Sequence, residues 1–161
     1  MTVREYNKCV DLYSDYVFRF LLKTLNDEEK AKDIVQDSFE RLWIKVNTVH
    51  FEKARTYLFT TAYHTMIDGF RKEKYHKEFL KQQSLDAIQD DNYNDLNELL
   101  HRLIGQLPED QRSVILLRDY EGYSYKEISE ITGLTEAQVK VYIYRGRQFL
   151  KERIGKIEVL I

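Results

Sequence analysis

The sequence predicts an all-α protein: two small helical domains joined by a flexible acidic linker, the second containing a helix-turn-helix. Three observations lead there. Apolar residues recur at helical spacing along nearly the whole chain, and no alternating strand pattern competes with them. Only six glycines and one proline occur, too few for a fold rich in turns. One stretch, Gln82–Asp95 (QQSLDAIQDDNYND), is polar, acidic and weakly periodic, as an exposed tether would be. The domains are therefore expected at 1–80 and 97–161, with a linker over 81–96.

The first helix is expected over about Glu5–Leu25. The second, NDEEKAKDIVQDSFERLWIKV, can be capped by Asn26 or Asp27, and its early acids suit the positive end of a helix dipole. Ile34, Val35, Phe39, Leu42 and Val46 form its apolar stripe, which turns Asp33, Gln36, Asp37, Glu40 and Arg41 outward. A third helix is expected over about Lys53–Arg71, with a bend near Thr60–Ala62. It interleaves Tyr57, Phe59, Tyr63, His64 and Phe70 with Arg71, Lys72 and Lys74. Aromatic faces beside cations suit unstacked bases, although in a small helical domain most such rings serve the core.

In the second domain, Ser124 followed by Glu127 and Thr135 followed by Gln138 are two capping boxes, each a hydroxyl and a reaching side chain that satisfy early backbone N–H groups. Thr132-Gly133-Leu134 lies between them, with a glycine suited to the left-handed turn that ends one helix and starts the next. This is a helix-turn-helix signature, though any tight helical hairpin could use the same caps. The second helix of the pair separates its faces. Val139, Ile143, Gly146 and Leu150 point inward; Ala137, Lys140, Val141, Tyr144, Arg145 and Gln148 point outward. Small apolar groups on that outer face can meet a thymine methyl, and Lys or Arg can donate to guanine edges or phosphates. Arg147, Lys151 and Arg153 fit flanking phosphate contacts.

Composition excludes several classes. No apolar run approaches the roughly 18 residues of a membrane span, and no signal-peptide core opens the chain, so a cytoplasmic location is expected. The one cysteine, Cys9, is expected to be a small buried apolar group. His64 and Asp68 stand at i and i+4, but no further ligand follows at a metal-site spacing, and phosphate-loop and nucleophile motifs are missing. No enzyme, metal or cofactor is expected. Charge is nearly balanced at a net −2 but is segregated: residues 71–81 hold five Lys/Arg, residues 82–100 none.

These residues together resemble the extracytoplasmic-function (ECF) sigma factors of bacterial RNA polymerase. DIVQDSFERLW (Asp33–Trp43) looks like the family's polymerase-binding helix, with Asp33, Gln36, Asp37, Phe39 and Trp43 in place. Arg55–Lys74 looks like its promoter-melting segment, and Leu107–Ile154 like its second domain. The resemblance implies a factor that brings polymerase core to promoters and captures a flipped minus-ten base. Minus-ten contacts would come from Tyr57, Tyr63, His64, Arg71 and Lys72. Minus-thirty-five contacts would come from Lys140, Val141, Tyr144, Arg145 and Arg147. Implied partners are polymerase core, promoter DNA and an anti-sigma factor, with a monomer when free. His64 stands where the family most often has Asn, Tyr57 where it has Trp, and Val141 and Tyr142 where Ser and Arg are usual, which bears on base preference. The alternative is an autonomous dimeric helix-turn-helix regulator.

Overall fold

The computed structural model describes residues 1–80 and 96–160, and among them every regular element is helical. The linker expected over 81–96 falls outside the described residues except for Leu96, which opens a helix. Helix α1 runs Val3–Leu25 and α2 Glu28–Ile44; a 3₁₀ turn, Phe51–Lys53, leads into α3, Ala54–Leu80. After the linker come α4 (Leu96–Gly105), α5 (Glu109–Ile115), a π-helical turn (Leu116–Tyr120), α6 (Tyr125–Thr132) and α7 (Glu136–Leu160).

Local sequence sets most of these boundaries. Thr2 accepts from the Glu5 amide at 3.1 Å and Glu5 reaches back at 2.8 Å, so α1 starts two residues before the expected Glu5. Between α1 and α2 the two candidate caps divide the work. Asn26 adopts the left-handed conformation that closes α1, and Asp27 accepts from the Lys30 amide to start α2. Helix α3 is continuous through Thr60–Ala62, where a bend was expected, and extends nine residues past Arg71. Thr60 and Thr65 donate back to the Thr56 and Thr61 carbonyls, which seats their hydroxyls without interrupting the helix.

Helices α1, α2 and α3 form one bundle and α4 to α7 another. The first packs Cys9, Val17, Leu21, Leu42, Leu58 and Met66; the second packs Val114, Leu117, Ile128, Ile131, Val139 and Ile143. Burial raises the Cys9 thiol above its usual range, in keeping with a packing role. The two cores are continuous. Phe59 of α3 meets Phe20 of α1 edge-on at 5.6 Å and Tyr123, just before α6, at the same distance. The bundles share a seam along α1 and α3.

Candidate functional site

Three surfaces carry the expected site residues. On α2, the early acids and the apolar stripe fall where a 100° step puts them: Asp33, Gln36, Asp37 and Glu40 are exposed, and Gln36 donates to Glu40 at 3.3 Å. Phe39 is different. It is only 8% exposed, and its carbonyl accepts from the Tyr6 hydroxyl at 3.0 Å. Trp43 is 47% exposed, and the Tyr6 ring meets it edge-on at 5.0 Å. Ile44, which the sequence reading passed over, is 79% exposed beside it. Its signal was present: Ile44 falls off the stripe defined by Phe39, Leu42 and Val46, so an apolar residue there has no core to enter. The face thus joins carboxylates to an apolar end, suited to a partner surface that is both basic and apolar.

On α3, Tyr57, His64 and Arg71 repeat every seven residues and share one side of the helix, with Asp68 between them. Tyr57 is half-buried; His64, Arg71 and Lys72 are exposed. Tyr63 lies one step round and is 4% exposed, its ring edge-on to His64 at 5.3 Å. Burial pushes the Tyr63 phenol up to about 12, aided by the nearby carboxylates of Asp110 and Glu109 on α5 and opposed by Arg71. At neutral pH the phenol keeps its proton.

The helix-turn-helix is built as its spacing requires. Ser124 and Glu127 exchange bonds of 2.9 and 3.1 Å, and Thr135 and Gln138 do the same. Gly133 takes φ +80°, and its N–H returns to the Ser129 carbonyl at 2.9 Å. Ser129 donates to the Leu134 carbonyl at 2.6 Å, tying the turn to α6. Helix α7 then buries Val139, Ile143 and Gly146, and Gly146 does so because a Cβ would meet the Ile115 side chain at 2.2 Å. Lys140, Val141, Tyr144 and Arg145 are all exposed, Tyr144 at 65%. The Lys140 ammonium sits 5.7 Å from the Tyr125 ring of α6.

Arg147 stands apart from this group. Its guanidinium holds Asp119 at 2.5 and 3.3 Å, a bond that raises its already high pKa. A phosphate would have to share it or displace Asp119. Nothing in the spacing announced that pair, whose members lie 28 positions apart. Among the described residues no group of three His, Cys, Asp or Glu side chains could hold a metal ion, and no helix is long and apolar enough to cross a membrane.

An exposed cationic and aromatic helix, presented by a capped helix-turn-helix on a second helical bundle, defines a DNA-binding protein of transcription. Residues 9–75 match Sigma-70 region 2 and residues 97–150 match Sigma-70, region 4. The chain is 31% identical over 147 residues to the ECF RNA polymerase sigma factor SigM of Bacillus subtilis, covering 87% of this chain and 89% of that one. It is 28% identical over 160 residues to the RNA polymerase sigma factor YlaC of the same organism, covering 91% of each. Among solved structures, it is similar to the sigma factor RpoE of Bartonella quintana in complex with the anti-sigma factor NepR, with a TM-score of 0.77 and 22% identity over 95% of this chain and 98% of that one. CnrH in complex with the cytosolic domain of CnrY gives 0.68 and 20% over 96% and 90%. This chain belongs to the ECF RNA polymerase sigma factors: it is an alternative sigma factor that directs RNA polymerase to promoters, and the autonomous dimeric regulator is not favoured.

Proposed function

We propose that the chain docks on polymerase core through the outer face of α2, captures a flipped minus-ten base against α3, and reads the minus-thirty-five duplex with α7. Core contacts fall to Asp33, Gln36, Asp37 and Trp43, with Ile44 beside them, while Phe39 holds that face in shape from beneath. Tyr57, His64, Arg71 and Lys72 line the minus-ten side, with Tyr63 behind them. Lys140, Val141, Tyr144 and Arg145 meet base edges in the major groove, and Arg147 contacts phosphate where Asp119 allows.

The observation that carries this is the division of α7. Its buried residues, Val139, Ile143 and Gly146, leave six exposed side chains on the opposite side, Ala137, Lys140, Val141, Tyr144, Arg145 and Gln148, none of them acidic and two of them cations. A face that was merely solvated would carry more carboxylates. Unstacking a base costs a few kcal/mol, and stacking it on an aromatic side chain returns about 1–3 kcal/mol, so binding alone can drive local opening. Polymerase core makes the nucleotide bonds; this chain is no catalyst and uses neither metal nor cofactor. It acts in the cytoplasm, is a monomer when free, and is held in check by an anti-sigma factor, the kind of partner with which its solved structural relative from Bartonella quintana was crystallised.

The test is Asp37→Lys in a pull-down with purified bacterial polymerase core. The exposed carboxylate makes no contact that folding needs, so the variant stays folded and core retention falls. A folded variant retained as well as wild type removes Asp37 from the interface.

A further inference from the structure

Lys140 and Arg147 lie seven positions apart on α7 and therefore share one flank of it, beside the face that reads bases. That flank looks onto Tyr125, at the start of α6. The Lys140 ammonium is 5.7 Å from the Tyr125 ring centre, Arg118 stacks over the same ring at 4.7 Å, and the Tyr125 hydroxyl stands beside the Arg147 guanidinium. Three cations thus gather round one ring, a layout suited to backbone phosphate.

Only one of the three is already neutralised. Arg147 donates to Asp119 twice, from Nη2 to Oδ1 at 2.5 Å and from Nε to Oδ2 at 3.3 Å. Arginine holds phosphate through the same two parallel bonds, so the carboxylate fills the fork that a phosphate would use. Among the described residues no other cation of α7 forms an ion pair. Asp119 is delivered by the π-helical turn Leu116–Tyr120, whose Leu116 and Leu117 stay in the core while Arg118 and Asp119 reach the helix-turn-helix.

The pair changes what duplex binding releases. A free guanidinium that neutralises one phosphate frees about 0.9 of a condensed cation, which is why such affinity falls with salt. Arg147 must first give up Asp119, and the carboxylate left behind takes up a cation in turn. Release and uptake then cancel. By the same relation an uncancelled contact is worth up to about eightfold in affinity at ~0.1 M salt. Every duplex offers phosphates, so that factor would apply to all sequences alike and would hold the protein on DNA wherever it landed.

We propose that Asp119 is a built-in counter-ion that stands in for DNA phosphate in the Arg147 fork and so limits the sequence-independent affinity of the helix-turn-helix. This rests on the duplex-reading role of α7 proposed above. Base preference stays with Lys140 and Arg145, whose side chains carry no such partner.

The test is fluorescence anisotropy of the full chain on a labelled random-sequence duplex of about 30 base pairs, over salt from roughly 0.05 to 0.2 M. Asp119→Asn and Asp119→Ala should bind up to about eightfold more tightly near 0.1 M, with a log–log salt slope steeper by about 0.9. Asp119→Glu keeps the charge and should keep the wild-type slope. Adding Arg147→Ala to Asp119→Asn should abolish the gain. Both members of the pair are exposed, and helicity and melting confirm that each variant is folded. Folded Asp119→Asn and Asp119→Ala with wild-type affinity and slope overturn the proposal. A gain that survives in the double variant also overturns it, since the carboxylate would then act at a distance and not through Arg147. An Arg145→Ala chain with unchanged base preference would instead count against the reading by α7, while the random duplex, which uses no preferred sequence, still judges Asp119.

Discussion

Helices α3 and α7 both carry aromatic residues beside cations, yet they use them in opposite ways. In α3 the rings turn inward: Phe59 is fully buried and Tyr63 is 4% exposed, while His64, Asp68, Arg71 and Lys72 face solvent. In α7 Tyr144 is 65% exposed and the buried stripe is aliphatic. The difference follows from the two tasks. Reading a closed duplex needs side chains that project into a groove, whereas holding a base that has left its stack needs a walled recess, and the walls of a recess belong to the core. Damage to the two helices should therefore separate into loss of fold and loss of recognition.

The largest effect is expected at Phe59, which links Phe20 to Tyr123. Phe59→Ala should cost about 3–5 kcal/mol in chemical denaturation, and it should loosen both bundles at once because the ring touches each. Independent unfolding of the second bundle at its wild-type midpoint would break the idea of a shared core. On α7, Arg145→Ala should leave the melting curve unchanged and weaken duplex binding by about 1–3 kcal/mol, with altered preference at one base pair. A uniform loss over all sequences would reassign Arg145 to phosphate. Between these lies the turn itself: Ser124→Ala removes a cap and should cost about 1 kcal/mol of stability, measured by thermal melting, with no direct effect on base preference.

The smallest effect concerns pH. Burial raises the Glu121 carboxyl above its usual range, against the pull of Arg55, Arg19 and Lys23. The folded form therefore binds this proton more readily than the unfolded chain. Its contribution is full below the ordinary carboxylate value and is lost as pH rises through the raised one. Glu121→Gln should flatten that dependence, so that wild type gains on the variant as the pH of the melting experiment is lowered. The opposite slope would mean that the pair with Arg55 outweighs burial.

Local features were legible from the sequence and long-range ones were not. The capping boxes at Ser124 and Thr135, the left-handed Gly133 and the two faces of α7 depend on neighbours within four residues, and each stands where spacing put it. The box at Thr2 obeyed the same rule and was simply missed. By contrast, Arg55 meets Glu121 across 66 positions and Arg147 meets Asp119 across 28, pairs that no periodicity can specify. The burial of Tyr63 was legible only in general terms, since most rings of a small helical domain serve the core. Helix α3 is covered on more than one side, so a single apolar stripe underestimates its contacts. Phe39 shows the same limit from the other direction, since its place in the stripe and its place in a family motif point to different neighbours.

The most direct measurement is transcription in vitro by purified bacterial core polymerase supplied with this chain, on a library of promoters randomised at both elements. Initiation should concentrate on templates sharing two separated elements, and Arg145→Ala should change the preferred base in the upstream one while leaving the downstream one alone. Initiation no better than core alone, or selected templates with no common upstream element, would contradict the account.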